Sequence, residues 1–386
     1  MSFSISLIQL NRLFRRILNH LVMLSALGLV ACTDLGDTAQ VTVSGQEQTV
    51  YVDPGQFPAG KGTVLAKQPC VGNYHAYRIT GDFAGYARLQ QFVEQMVSKH
   101  GFDREYLQGL FSQAKRKDWT LNYFAKSDKS LKLPPGKGSW TRYRAKFLDE
   151  RHIGAGAEFA RRYRAALQRA TRMYGVPEEY ILGIMAIETN FGSNLGSHRV
   201  LDALTTLGFD YTRRGPFFRD ELEEFLLMAR SEGIDPARPK GSFAGAMGLG
   251  QFMPSSFRKW GVDFDGDGHR DLWNPEDAIG SIANYFAQHG WQPGQPVISP
   301  LVAKGTVNLQ AGFDTRYTPS RLSKAGLSPA RPCKPSEQVC LLLLRHQQLD
   351  QYLIGYSNFY TITRYNHSTH YAMAVHELAQ AIKHRL

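Results

Sequence analysis

The 386-residue sequence predicts a mainly α fold of the α+β class, helical over most of its length with one small β-rich insertion. Apolar residues recur at three- and four-residue spacing over several long stretches, the pattern of amphipathic helices. That period is lost over Pro293–Thr363. There, short apolar runs (Val297-Ile298, Val339–Leu344, Tyr352–Thr363) are separated by Gly and Pro and read as strands. With 43% hydrophobic and 12% aromatic residues, the chain can bury a sizeable core, which excludes a disordered, collagenous or coiled-coil protein. No internal repeat is visible.

The elements follow in order. Residues 1–31 hold no Asp or Glu, and Arg12, Arg15 and Arg16 precede the apolar stretch Leu21–Ala31. That stretch is too short and too weakly apolar to span a membrane comfortably, and it has the form of a secretory signal. It ends in Leu29-Val30-Ala31-Cys32, which resembles the bacterial lipobox, whose Cys is lipidated after cleavage just before it. An ordinary signal peptide or short anchor with an incidental cysteine is the alternative. Thr33 stands where Asp would direct inner-membrane retention. The resemblance therefore implies an outer-membrane lipoprotein facing the periplasm of a Gram-negative bacterium.

Residues 32–74 would be the lipid anchor and a flexible tether, rich in Gly, Thr, Gln, Asp and Pro. A helical region is expected over 75–292. It starts with Phe83, Tyr86, Leu89, Val93, Met96 and Val97 on one face, then the loop Lys132–Gly138 and a second amphipathic helix over Gly156–Tyr174. Gly175-Val176-Pro177-Glu178-Glu179 is a helix start, with Pro in the first turn and carboxylates near the positive end of the dipole. Further helices are expected near 217–230, 276–289 and 367–384. Residues 293–364 form the β-rich part, and 365–386 return to the helical body.

The full chain carries 45 Lys and Arg against 34 Asp and Glu, a net charge of +11. Such a balance suits a nucleic acid, an anionic polymer or a membrane surface, and no basic run decides between them. Without residues 1–31 the charge is +8. Cys70, Cys333 and Cys340 would remain in an oxidising compartment. Loop closure favours Cys333–Cys340 as a bridge, with three buried thiols as the alternative. No Cys/His spacing resembles a zinc site.

Chemistry concentrates in Tyr180–Gly192, YILGIMAIETNFG. On a helix, Ile181, Ile184 and Glu188 share one face, with Ile187 beside them. A carboxylate on a core-facing stripe is costly unless it is paired or neutral. Burial raises its pKa and retains the proton that a general acid for glycosidic cleavage needs. Alternatively, the Glu head escapes to solvent where Thr189-Asn190 break the helix. Downstream, Gly241–Phe257 reads GSFAGAMGLGQFMPSSF. It lacks the Gly-Lys-[Ser/Thr] ending of a phosphate loop, and its glycines would let an extended polymer approach the backbone. Asp263-Phe264-Asp265-Gly266-Asp267-Gly268-His269 matches the start of an EF-hand loop, with hard oxygen ligands suited to calcium. Position 12 of that loop is Asn274 instead of Glu, and an acidic surface turn is the alternative.

The run Glu188–Gly192 resembles the catalytic signature of lysozyme-like folds. Together with Trp140–Arg144, Ser242–Ser256, Asp263–Asp277 and Tyr365–Val375, it resembles the membrane-bound lytic murein transglycosylase B family (glycoside hydrolase family 103) across nearly all of residues 75–386. The resemblance implies a lysozyme-like helical core acting on peptidoglycan glycan strands, with no nucleic-acid partner and no organic cofactor. It leaves the cell-wall synthesis machinery open as a partner. It implies that Glu188 alone serves as acid and then base, cutting between N-acetylmuramic acid and N-acetylglucosamine and leaving a 1,6-anhydro end. Substrate contacts carried over by motif position are Tyr143, Ser242, Gln251, Phe252, Tyr285, Tyr365, Asn366 and Tyr371, although any of the aromatics could equally be core. The same resemblance gives structural calcium at Asp263, Asp265, Asp267 and the His269 carbonyl, closed by Asp277. A hydrolysing muramidase and a non-catalytic, calcium-dependent wall-binding lipoprotein are the rival readings. Asp202 and Asp210 are the next carboxylates after Glu188 that could enter a two-carboxylate mechanism.

The anchor is checked with Cys32→Ala behind a cleavable signal. Soluble protein that keeps its activity on isolated sacculi is expected. Protein that remains in the membrane fraction after cleavage would show that lipid is not what holds it.

Overall fold

A computed structural model describes residues 39–43, 46–50, 70–130, 135–330, 334 and 336–386. The predicted signal (1–31), Cys32 and Cys333 lie outside these residues. Within the stretch expected as a tether, β1 (Ala39–Val43) and β2 (Gln46–Val50) pair antiparallel, Ala39 opposite Val50. The alternation in Val41-Thr42-Val43 suits a strand. This hairpin belongs to a unit of its own.

The main body opens with a 3-10 turn at Gly81–Phe83 and α1 (Ala87–His100), ended by Gly101 in the left-handed conformation. Next come α2 (Arg104–Ser112), whose Asp103 cap accepts from the Tyr106 N–H, then α3 (Asp118–Ser130) and α4 (Ser139–Arg144). The single helix expected over 156–174 is two helices, α5 (Glu150–Arg162) and α6 (Arg164–Tyr174). Tyr163 leaves helical geometry between them (φ −110, ψ 27), with its ring 4.5 Å from that of Phe159. α7 (Glu178–Thr189) starts as expected, with Pro177 at its cap and Glu178 and Glu179 in the first turn. α8 (Val200–Asp210), α9 (Gly215–Ser231), α10 (Pro254–Trp260) and α11 (Pro275–Gln288) complete this part. The two-residue strands β3 (His198–Arg199) and β4 (Lys240–Gly241) pair between them.

The β-rich part holds a four-stranded antiparallel sheet in the order β6-β5-β8-β7. Its strands are β5 (Ile298–Ala303), β6 (Leu327–Pro329), β7 (Cys340–Arg345) and β8 (Asp350–Gly355), and α12 (Pro319–Lys324) precedes β6. Leu301, Leu322, Leu327, Val339, Leu341, Ile354 and Tyr356 form its own small core. The run Tyr352–Thr363 is only partly strand. After Gly355 the chain turns into α13 (Ser357–Tyr365), because Phe359, Ile362 and Thr363 fall at helical spacing and are buried. α14 (Thr369–Arg385) follows as a separate helix with a Ser368 cap.

α7 lies at the centre. The sequence predicts one buried face, but Tyr180 through Ala186 and Thr189 are all buried. A helix packed by α5, α6, α11 and α14 together has no solvent side. Gly183 permits the closest approach, since a Cβ there would stand 2.9 Å from the Val375 carbonyl of α14. Cys70 and Cys340 are free thiols. The Cys340 Sγ donates to the Phe313 carbonyl at 2.9 Å; the bridge expected from Cys333 falls on a residue outside those described. No helix among the described residues is long and apolar enough to cross a membrane.

Candidate active site

Glu188 occupies the last turn of α7. The chain then passes through three left-handed residues: Asn190 (φ 46), Phe191 (φ 55) and Gly192 (φ 88). Two of them are not glycine and pay a conformational cost, so the turn must be held from outside. Asn190 N–H donates to Ala186 O at 3.0 Å and Phe191 N–H to Met185 O at 3.2 Å. Thr189 Oγ1 accepts from Gly192 N–H at 3.1 Å and donates to Leu249 O at 3.0 Å. The end of the Glu188 helix is thereby tied to the Gly-rich run.

Glu188 itself is half-buried. Burial pushes its carboxyl up to about 7, with the Tyr371 hydrogen bond pulling the other way. The Tyr371 hydroxyl donates to Glu188 Oε1 at 2.5 Å. Burial, then the Glu188 charge, pushes the Tyr143 phenol up to about 12 and raises Tyr365 and Tyr371 as well. All three phenols are therefore protonated at neutral pH. One carboxyl oxygen is held by a donor, which leaves the other to carry a proton toward a substrate.

The Gly-rich run folds back on itself, Met247 bridging to both Gly241 and Phe252. Gly248 (φ +69) lies so close to Leu272 that a Cβ would come within 2.3 Å of it, and a Cβ at Gly250 would come within 2.9 Å of the Tyr365 hydroxyl. That hydroxyl donates to Gly250 O at 2.6 Å. Ser242 Oγ accepts from the N–H groups of Ala244 (3.2 Å) and Ala246 (3.0 Å). Its own proton is left to donate outward. Gln251 has φ 50 and donates its Nε2 to Gly248 O at 2.9 Å.

Of the sequence-predicted contacts, Tyr371 meets Glu188 directly, and Tyr143 and Tyr365 lie half-buried within its electrostatic reach. Asn366 is exposed immediately after α13. Phe252 and Tyr285 are buried, their rings 5.8 and 4.9 Å from that of Tyr365. The Tyr285 hydroxyl donates to Arg364 O at 2.7 Å. These two rings support Tyr365 from behind. Asp202 is 1% exposed and is paired with Arg199 (2.7 Å) and Lys117 (3.1 Å). Asp210 accepts from Arg116 Nε at 2.8 Å. Neither is a free second carboxylate.

In the predicted metal loop, Asp263, Asp265 and Asp267 place oxygens within 4.8 Å of one another, all exposed. Gly266 and Gly268 take φ of 84 and 93 for the turn. This donor set of three hard carboxylates on a tight turn fits calcium. Asp277 does not join the three. It is 1% exposed, and its carboxylate accepts from the N–H groups of Phe264 (2.6 Å), Asp265 (3.2 Å) and Asp271 (2.7 Å). It braces the loop from within.

Residues 84–380 match the family described as the transglycosylase SLT domain. The chain belongs to this family. It is 51% identical over 313 residues to the membrane-bound lytic murein transglycosylase B of Escherichia coli (strain K12), covering 80% of this chain and 86% of that protein. The solved structure of the Escherichia coli lytic transglycosylase SLT35 in complex with calcium matches with a TM-score of 0.76 and 50% identity, covering 80% of this chain and 96% of that one. SltB3 from Pseudomonas aeruginosa, in complex with NAG-anhNAM-pentapeptide, matches at a TM-score of 0.66 and 27% identity, covering 77% and 79%.

Within this transglycosylase, sequence reasoning missed the clamp made by Thr189, which it noted only as a helix breaker. The signal was a hydroxyl directly after Glu188 and ahead of Asn190-Phe191-Gly192, where the helix ends. It also missed the bracing of the loop by Asp277, since spacing shows a carboxylate but not its hydrogen bonds.

The Glu188 environment has a thermodynamic consequence. The folded chain holds this proton to about pH 7, whereas an unfolded Glu releases it near pH ~4.3. Between those values the folded state binds more protons, so stability falls as pH rises. Glu188→Gln removes that loss. It should stabilise the protein by on the order of 1–3 kcal/mol more at pH 8 than at pH 4, measured by urea unfolding. An equal difference at both pH values would return Glu188 to the ordinary carboxyl range.

Proposed function

We infer that Glu188 is the single acid–base group of a lytic transglycosylase acting on peptidoglycan, the activity that its family membership indicates. One observation carries the assignment: a carboxyl at the end of a buried helix with Tyr371 on one oxygen, pushed up to about 7 by burial, and with both later carboxylates engaged in ion pairs. Glu188 protonates the oxygen between N-acetylmuramic acid and N-acetylglucosamine, and the C1–O bond breaks. The resulting carboxylate takes the proton of the muramoyl C6 hydroxyl as that oxygen closes on C1. No water is consumed, and the product ends in a 1,6-anhydro ring. The Tyr371 donor stabilises the carboxylate between the two steps. Ser242, with its proton free, suits the carbonyl of a 2-acetamido group, and half-buried Tyr143 and Tyr365 offer apolar ring surface to sugar C–H faces.

Calcium belongs to the loop of Asp263, Asp265 and Asp267, with the His269 carbonyl as a further oxygen; its role is structural. The SLT35 complex with calcium supports this. The lipobox-like Cys32, together with a relative named as membrane-bound, supports an outer-membrane lipoprotein whose catalytic body faces the periplasmic glycan.

Glu188→Gln should fold, still bind glycan, and lose about 10²–10⁴-fold or more of its turnover. Mass spectrometry of sacculus digests should find anhydro ends with the wild type only. Reducing ends instead would make the enzyme a muramidase, and near-wild-type turnover of the variant would remove Glu188 from the chemistry.

Asp263→Ala and Asp267→Ala should each lower the melting temperature in calcium and abolish its dependence on chelator. A wild-type melting curve that ignores chelator, in protein shown to have started calcium-loaded, would remove the ion from the loop.

A further inference from the structure

Two of the large aromatic rings left open to solvent stand together. Trp119 is 58% exposed and Tyr123 46% exposed, one turn apart at the start of α3. Their rings are nearly parallel, 24° apart with centroids at 5.5 Å. The His198 ring of β3 is almost parallel to Trp119 as well, at 18° and 6.0 Å. Phe243 stands edge-on beneath, 5.5 Å from Trp119 and 4.7 Å from Tyr123. Core packing does not account for a Trp and a Tyr held in this way with their faces in water. Clustered exposed aromatics of this kind mark a binding surface.

The place of the cluster decides its occupant. Phe243 directly follows Ser242, whose hydroxyl proton is free. His198 is opposite Gly241 in the β3–β4 pair, and it ends the turn that begins at Glu188. That turn is tied to the Gly-rich run, since a Cβ at Gly196 would strike the Gly241 carbonyl at 2.1 Å. The aromatic surface is thus continuous with the wall of the catalytic site. The exposed Lys240 borders it, which suits an anionic polymer. Flat rings with few hydrogen-bonding groups bind the apolar faces of sugars without reading their substituents.

We propose that Trp119, Tyr123, His198 and Phe243 form a platform for sugars of the glycan strand beyond those at Glu188, so that long strands bind better than short ones. The proposal rests on the transglycosylase reading above. The test compares wild type, Trp119→Ala, Tyr123→Ala and Trp119→Phe on two substrates: isolated peptide-free glycan strands, and a four-sugar fragment long enough only for the cleavage site. The alanine variants should melt as the wild type does and cleave the fragment at its rate. They should lose about tenfold in kcat/KM on long strands, through KM, and Trp119→Phe should recover most of that loss. Binding of strands by the same variants in a Glu188→Gln background should weaken by the same factor. Unchanged long-strand kinetics in the folded alanine variants would overturn the platform while leaving the transglycosylase reading intact. Equal losses on both substrates would overturn it too, by placing these rings in the cleavage site. Wild-type protein that self-associates in light scattering, and is made monomeric by Trp119→Ala, would assign the surface to a second copy of the chain. A wild type that cleaves neither substrate would end the parent reading, and the platform with it.

Discussion

The hydrogen bond from Tyr371 to Glu188 is the constraint on which the site depends. It joins residues 183 positions apart at 2.5 Å, so it requires α14 to lie on α7 in one register. Gly183 brings the backbones together, and the Ser368 cap, accepting from the Tyr371 N–H, fixes where α14 begins. Two further ties hold the same pair of helices. The Tyr180 hydroxyl meets His376 Nδ1 at 2.9 Å, and Lys383 pairs with Glu179 at 2.7 Å. Burial pushes His376 down to about 4, so it is neutral between the helices and asks for no counter-charge. The proposed mechanism asks Glu188 to serve as acid and then base within one turnover. A carboxyl near 7 makes both protonation states accessible at similar cost at neutral pH. Burial alone would overshoot toward the acid, and the Tyr371 donor draws the balance back.

Because α14 follows the sheet in the chain, the β-rich excursion has to return to a defined point. Asn358, fully buried, closes it. Its Nδ2 donates to Gln292 O (2.8 Å) and Gln295 O (3.0 Å), and its Oδ1 accepts from Gln292 N–H at 2.7 Å. The side chain bonds the exit of the excursion to its re-entry, 66 residues later. α13 then starts in a fixed place and delivers Tyr365 against Gly250, with Phe252 and Tyr285 behind it. The insertion carries its own small core, while Leu342, Leu344 and Leu353 of its sheet pack into the helical core and hold it on the body together with this amide.

What the sequence made legible follows from how local each signal is. The start of α7, the sheet strands around Val339–Leu344 and the DxDxDG turn are written in adjacent residues, and the structure has them. The Gly-rich wall beside Glu188 was legible through its glycines and the run after Glu188, whose spacing survives in one dimension. The division of α5 from α6 was not legible, since Tyr163 continues the apolar period and no Gly or Pro stands beside it to mark the break. Nor was α13, whose β-branched residues resemble a strand until Gly355 ends β8. The all-round burial of α7 depends on four other helices, so no face could be read from its own sequence. The same holds for Phe252 and Tyr285: residue type suggested rings for sugar, whereas packing put them behind Tyr365.

The metal loop and the catalytic helix are separate in sequence but joined by backbone. Asp277 accepts from the Asp271 N–H, and the next residue, Leu272, accepts from the Leu249 N–H at 2.9 Å. The Leu249 carbonyl in turn accepts from Thr189, which follows Glu188. Three hydrogen bonds joined by short stretches of backbone make the path, and Gly248 lets Leu272 come close enough for the central one. An ion that neutralises Asp263, Asp265 and Asp267 removes the repulsion between three carboxylates whose oxygens lie within 4.8 Å, and so holds the loop on which Asp277 acts. Order in the loop is thereby order at the end of α7, where three left-handed residues need it most. The calcium proposed for this loop would act on the Glu188 turn from this position without approaching the substrate.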